Sequence, residues 1–117
     1  MLLVHRSSET PLDVSLAWLR FEKIALDRAD KLLLEGPRIP VVSVEDLIVY
    51  KAIAWRERDR TDVERLIVRH RRGVNLARVR RHVAEFARLL ESPERIAEFD
   101  RLVRRAVPRR KRRRVLR

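Results

Sequence analysis

From Ser43 to Pro108 the apolar residues recur every three or four positions, and charged residues fill most of what lies between them. Such spacing puts one narrow apolar stripe on each helix and leaves the rest to water. The segment can therefore fold only as helices packed stripe to stripe. Ser43 opens the first, with Asp46 three residues on as in a capping box, and Glu45 and Asp46 suit its positive start. It is predicted to run to about Trp55, with Leu47, Ile48, Tyr50, Ile53 and Ala54 as its apolar face. Asp59 or Thr61 is the expected cap of the second helix, with Val63, Leu66, Ile67 and His70 turned inward. Gly73 closes it. Asn75 caps a third helix carrying Leu76, Val79, Val83, Phe86 and Leu90. Ser92-Pro93-Glu94 reads as the start of a fourth, with Ile96, Phe99, Leu102 and Val103 inside. Pro108 ends the ordered part.

The stretch before Ser43 reads differently. Segments 2–6 and 12–17 are short and apolar, with a turn-like SSETP between them, and predict a β-hairpin. Alternation places Leu12, Val14 and Leu16 on one face of the second strand. A helix is expected over about 20–31, then two short strands around Gly36-Pro37. The class is α+β: a small partial sheet, mixed or antiparallel, made of a hairpin plus two short strands, with about five helices. Residues 1–42 form the sheet and its helix, 43–107 the helical part, and 108–117 a basic tail with little to bury. A sheet that starts at residue 2 leaves an edge uncovered.

Charge follows the same division. Residues 1–68 hold 11 Lys and Arg against 12 Asp and Glu, whereas residues 69–117 hold 18 against 5. A polycation attracts phosphate backbones and acidic surfaces. The run Arg109, Arg110, Lys111, Arg112, Arg113 and Arg114 is the densest part of it and the expected nucleic-acid contact. The cations are 25 Arg and only 4 Lys, a bias that a GC-rich genome also produces. No cysteine is present, which excludes disulfides, thiolate metal sites and thiol nucleophiles. His5, His70 and His82 form no metal-binding spacing. With Gly36 and Gly73 alone, no phosphate-cradling glycine loop can be written. No apolar run approaches the ~18 residues of a membrane span, and no leader is recognisable, so the expected location is the cytoplasm.

Chemistry concentrates in residues 42–66, VSVEDLIVYKAIAWRERDRTDVERL. Lys51 interrupts an apolar run. It reads either as a lysine whose stem lies along the helix with its charge in water or as a point charge for a phosphate. Arg56, Arg58 and Arg60 alternate with Glu57, Asp59 and Thr61, the pattern of a salt-bridge lattice at a helix corner. Capping and charge pairing account for Asp59 and Asp62 as well as a part in catalysis does.

This string resembles the signature S-x-E-D-L-I-x-x-K-x-x-A-x-R-x-x-D-x-x-D of a prokaryotic nucleotidyltransferase family. That family lies in the polymerase-β-like superfamily and includes AbiEii-type toxins. The matching residues are Ser43, Glu45, Asp46, Leu47, Ile48, Lys51, Ala54, Arg56, Asp59 and Asp62. LDVSLAWLRFEKIALDRA, over 12–29, resembles the family's acidic strand and the helix after it, so the likeness runs over about residues 2–90. It implies transfer of a nucleotide from an NTP to a hydroxyl acceptor, with Mg²⁺ as cofactor. Asp13 would be a metal carboxylate, Lys51 and Arg56 would hold the nucleotide, and Asp59 and Asp62 would support the site. It also implies an antitoxin-like protein as a possible partner. Family enzymes carry a Gly-Ser motif and an Asp-x-Asp pair ahead of the third carboxylate, and together these hold two Mg²⁺ ions. Neither precedes Asp13 in this sequence. The expectation is a truncated domain, inactive as this chain, through a misassigned start, gene decay or a separate chain bearing the missing strands. The alternative is a non-catalytic basic module that binds nucleic acid or a partner protein.

Overall fold

A computed structural model describes residues 1–108 apart from Trp18 and Leu34. The chain divides into two compact units, with the boundary in sequence between Val41 and Val42. The basic run Arg109–Arg114 lies outside the described residues.

The N-terminal unit carries β1 (Leu2–Val4), β2 (Pro11–Asp13), α1 (Arg20–Arg28), β3 (Asp30–Leu33) and β4 (Arg38–Val41). The strands make two separate antiparallel ladders rather than one sheet. In the first, Leu2 pairs with Asp13, Leu3 with Leu12 and Val4 with Pro11. In the second, Asp30 pairs with Val41 and Leu33 with Arg38. The first hairpin is shorter than the predicted 2–6 and 12–17. Pro11 has no N–H to extend the ladder, and the His5 N–H instead reaches the Thr10 carbonyl at 2.9 Å. All strand residues are exposed, Leu12 among them, and Leu16 lies beyond the strand and exposed. The alternation read from the sequence thus has no buried face to serve. Gly36, at φ 114°, takes the turn of the second hairpin, where the Gly36-Pro37 reading placed it. Helix α1 ends at Arg28, three residues short of its predicted limit, and its Glu22 carboxylate accepts the Leu19 N–H at 3.0 Å.

The second unit is a four-helix arrangement of α2 (Val44–Ala54), α3 (Glu57–His70), α4 (Leu76–Leu89) and α5 (Pro93–Ala106). Helix α2 packs on α3 and α4, and α5 packs on the same two. The core draws Ile48, Val49 and Ala52 from α2, Val63 and Ile67 from α3, Val79, Val83 and Ala87 from α4, and Phe99, Leu102 and Ala106 from α5. The predicted α2 face is only partly right. With α3 and α4 both against it, the buried stripe is Ile48, Val49 and Ala52, while Leu47, Tyr50 and Ile53 are half-buried and Ala54 is exposed. Leu90 is exposed because α4 has ended one residue before it, and Ala87 takes the inward place instead. The architecture is α+β with a helical C-terminal half. Among the described residues no helix is long and apolar enough to cross a membrane.

Ser43 and Asn75 cap as predicted: Ser43 Oγ accepts the Asp46 N–H at 3.2 Å, and Asn75 Oδ1 accepts the Arg78 N–H at 3.0 Å. Ser92 does not cap α5 with its side chain. Its backbone N–H donates to the Ala87 carbonyl at 2.8 Å, which ties it to the end of α4, and Pro93 starts the helix without needing a donor's partner. Helix α3 ends at His70 and turns through Arg71, so Gly73 follows the end rather than making it.

Phe99 is the largest side chain sealed in this core. Phe99→Ala is expected to lower unfolding free energy by about 3–5 kcal/mol, measured by chemical denaturation. Leu89→Ala, at an exposed site, should stay within about 0.5 kcal/mol of the parent. A loss below about 1 kcal/mol at Phe99 would contradict this assignment of the core.

Candidate nucleotide site at the α2–α3 corner

Two residues separate α2 from α3. Trp55 takes the left-handed conformation, φ 53° and ψ 31°, and donates its backbone N–H to the Lys51 carbonyl at 2.8 Å. A bulky residue pays about 1–2 kcal/mol for that conformation, so its surroundings must hold it there. They do so on three sides. The Trp55 indole N–H donates to Glu98 Oε2 of α5 at 2.7 Å. Its ring meets Phe99 at 6.3 Å in a tilted contact. The Arg60 guanidinium lies over it at 5.2 Å, an arrangement favoured by the electron-rich ring face. Arg95 adds a bond from Nη1 to the Ile53 carbonyl, one of the last acceptors of α2.

The reversal sets the start of α3 beside the last turn of α2. Asp59 does not precede the helix as a cap, as the sequence suggested, and neither does Thr61. Asp59 lies inside the first turn, and its Oδ2 accepts the Arg56 backbone N–H at 3.0 Å. That is the carboxylate half of a capping box, placed three residues after a non-capping arginine. An acid at that offset is the sequence signal that locates the true start. The same oxygen accepts from Arg56 Nε at 2.8 Å. The Asp59 side chain is only 2% exposed.

Lys51 reaches across from α2. Its Nζ stands 2.9 Å from Asp62 Oδ2 and 3.8 Å from Asp59 Oδ1, with the lysine side chain 26% exposed. Four of the sequence-selected residues, Lys51, Arg56, Asp59 and Asp62, therefore meet at one corner. Asp13 belongs to the N-terminal unit, where its carboxylate is 3.4 Å from the Met1 ammonium. The corner is a two-cation, two-carboxylate cluster whose more exposed members are Arg56 and Asp62.

The Arg56 side-chain hydrogen bond holds the Asp59 carboxyl below its ordinary range, against the opposing effect of burial, and Asp59 in turn raises Arg56. Asp59 thus stays ionised through the neutral range. Among the described residues no three His, Asp or Glu side chains gather as metal ligands. Asp59 is bonded to Arg56, which leaves Asp62 as the one carboxylate the corner could offer a cation, not the set that holds two Mg²⁺ ions. Sequence reading missed Asp46 as a core residue. It is 1% exposed, with Oδ1 3.7 Å from Arg78 Nη1 on α4. It also missed Glu98. Both have partners more than thirty residues away, beyond the reach of local spacing.

A depressed carboxyl adds stability above its unfolded pKa, and that stability is lost as pH falls through the folded value. For Asp59 the loss should begin near pH 4 and continue downward. Asp59→Asn is expected to cost about 1–2 kcal/mol at pH 7 through the weakened cap. The gap to the parent should narrow as pH drops from 5 to 2.5. Denaturant midpoints at each pH measure it, and a gap that does not change with pH would contradict this role.

Residues 17–98 match the family described as nucleotidyl transferase of unknown function (DUF2204). The match spans α1, the second hairpin, the corner, α4 and the first turns of α5, and starts beyond Asp13. No curated protein and no solved structure matches the chain. With more than half its length matched and the signature residues gathered at one corner, the chain belongs to this family of nucleotidyl transferases of unknown function.

Proposed function

We propose that the α2–α3 corner holds the triphosphate of an NTP, in a chain akin to AbiEii-type nucleotidyltransferases. The observation that carries this reading is the Lys51 ammonium, anchored between two carboxylates yet open to solvent on one side. An ammonium held in this way is a fixed point charge for phosphate oxygens. Asp62, itself 40% exposed at its side chain, can turn to water as a phosphate takes its place beside Lys51. Arg56, exposed on its outer side, offers a second cation to the same ligand.

Nucleotide transfer to a hydroxyl forms an oxygen–α-phosphorus bond and breaks the bond from the α-phosphorus to the β-phosphate oxygen. Pyrophosphate leaves, and the hydroxyl proton passes to a base or to water. The corner can bind and orient the leaving group. It lacks the carboxylate set that anchors metal in such reactions, and Asp13 alone does not replace it. We therefore propose that this chain binds nucleotide without completing the transfer.

A second reading rests on a specific distribution of charge. Arg65, Arg69, Arg71, Arg72, Arg81 and Arg88 are exposed and carry no ion pair among the described residues. Between residues 65 and 90 the lone acid is Glu85. Such a surface contacts phosphate backbones without reading bases, and Arg109–Arg114 would extend it.

Equilibrium titration with labelled ATP, GTP, CTP and UTP tests the main reading. The full chain is expected to bind at least one of them, and Lys51→Gln to weaken it by about tenfold. Equal binding by parent and variant, with circular dichroism showing both folded, would overturn the site. Mg²⁺-dependent nucleotide incorporation into cell RNA that Asp13→Ala abolishes would overturn the proposed inactivity.

A further inference from the structure

A cleft lies between α3 and α5; it shares Trp55, Arg60 and Glu98 with the supports of the corner, but none of Lys51, Arg56, Asp59 and Asp62 lines it. It encloses about 280 Å³ and is lined by Trp55, Arg60, Glu98, Arg101, Leu102 and Arg105. Residues 98, 101, 102 and 105 fall on one stripe of α5. Two ion pairs cross the cleft. Arg60 Nη2 is 3.4 Å from Glu98 Oε2, and Arg105 Nη2 is 3.1 Å from Glu64 Oε2. Both carboxylates are thereby engaged, Glu98 also by the Trp55 indole N–H.

Arg101 sits on the stripe between the two pairs. It has no ionic partner among the described residues. Three arginines thus line one concavity, two of them paired with Glu98 and Glu64 and the third, Arg101, left as surplus charge. A planar guanidinium presents two parallel donors to an oxyanion. The Arg60 and Arg105 forks are held by their carboxylates at either end, so the cleft is walled before any ligand arrives. Leu102 and the Trp55 edge remove part of the water that would otherwise screen these charges.

We propose that this cleft binds a phosphate group, centred on Arg101 and flanked by Arg60 and Arg105. The group is either free, as in pyrophosphate, or part of a nucleic-acid backbone. With one net charge at a surface site, affinity for pyrophosphate on the order of 1 mM is expected.

The tail arginines also attract anions, so a local reporter is needed. Trp55 lines the cleft, and Trp18→Phe leaves it as the lone tryptophan of the full chain. In that background, Trp55 fluorescence is followed at constant ionic strength against pyrophosphate, with sodium chloride as the blank. A second arm uses a short oligonucleotide without terminal phosphates. A saturable response to either supports the cleft, and the arm that responds identifies the source of the phosphate. Arg101→Gln should weaken it about tenfold, and Arg104→Gln, which does not line the cleft, should leave it unchanged. No saturable response in either arm would overturn the proposal. So would an Arg101→Gln curve that matches the parent while the variant keeps its thermal midpoint.

Discussion

The helical unit depends on one backbone reversal. Trp55 stands in a conformation that costs a bulky residue free energy, and α5 holds it there through Glu98 and Phe99. The reversal places Lys51 of one helix beside Asp59 and Asp62 of the next. Local strain at Trp55 thereby accompanies a fixed charge cluster, held because the surrounding contacts over-determine the turn.

An arginine-rich chain must also place its cations without opposing its own fold. Arg56, Arg60, Arg78, Arg80 and Arg105 are answered by Asp59, Glu98, Asp46, Asp100 and Glu64. Several of these pairs join different helices, so they help to select which helices adjoin. Exposed pairs of this kind add little stability one by one. Their effect here is on arrangement: they consume the acids and leave particular arginines unmatched. Arg101 is one, exposed on α5 between Glu98 and Arg105, which are both matched.

The helical periodicity was legible because each helix buries one stripe, and stripe spacing is a local property. The caps at Ser43 and Asn75 were legible for the same reason, since cap and recipient lie three residues apart. The start of α3 was misread because Asp59 has the chemistry of a cap and the position of a capping-box acid. The first hairpin is shorter than its apolar segments suggest, as a two-stranded ladder has no third strand or core to extend it, whereas the short strands around Gly36-Pro37 are as expected. The left-handed turn carried no signal at all: glycine advertises such a turn, and tryptophan does not. At the corner, Lys51, Arg56, Asp59 and Asp62 of the 43–62 signature lie side by side. The signature could not show that Asp59 is engaged by Arg56, nor that Trp55 needs Glu98 from forty-three residues away.

The geometry of the corner rests on the bond between Trp55 and Glu98. A double-mutant cycle measures that bond most directly. Trp55→Phe removes the indole donor and keeps most of the ring, Glu98→Ala removes the acceptor, and the double variant closes the cycle by urea denaturation. The account predicts a coupling of about 1 kcal/mol or more, with the two single losses failing to add. Losses that add to within about 0.3 kcal/mol would show the two residues acting independently, and would contradict it.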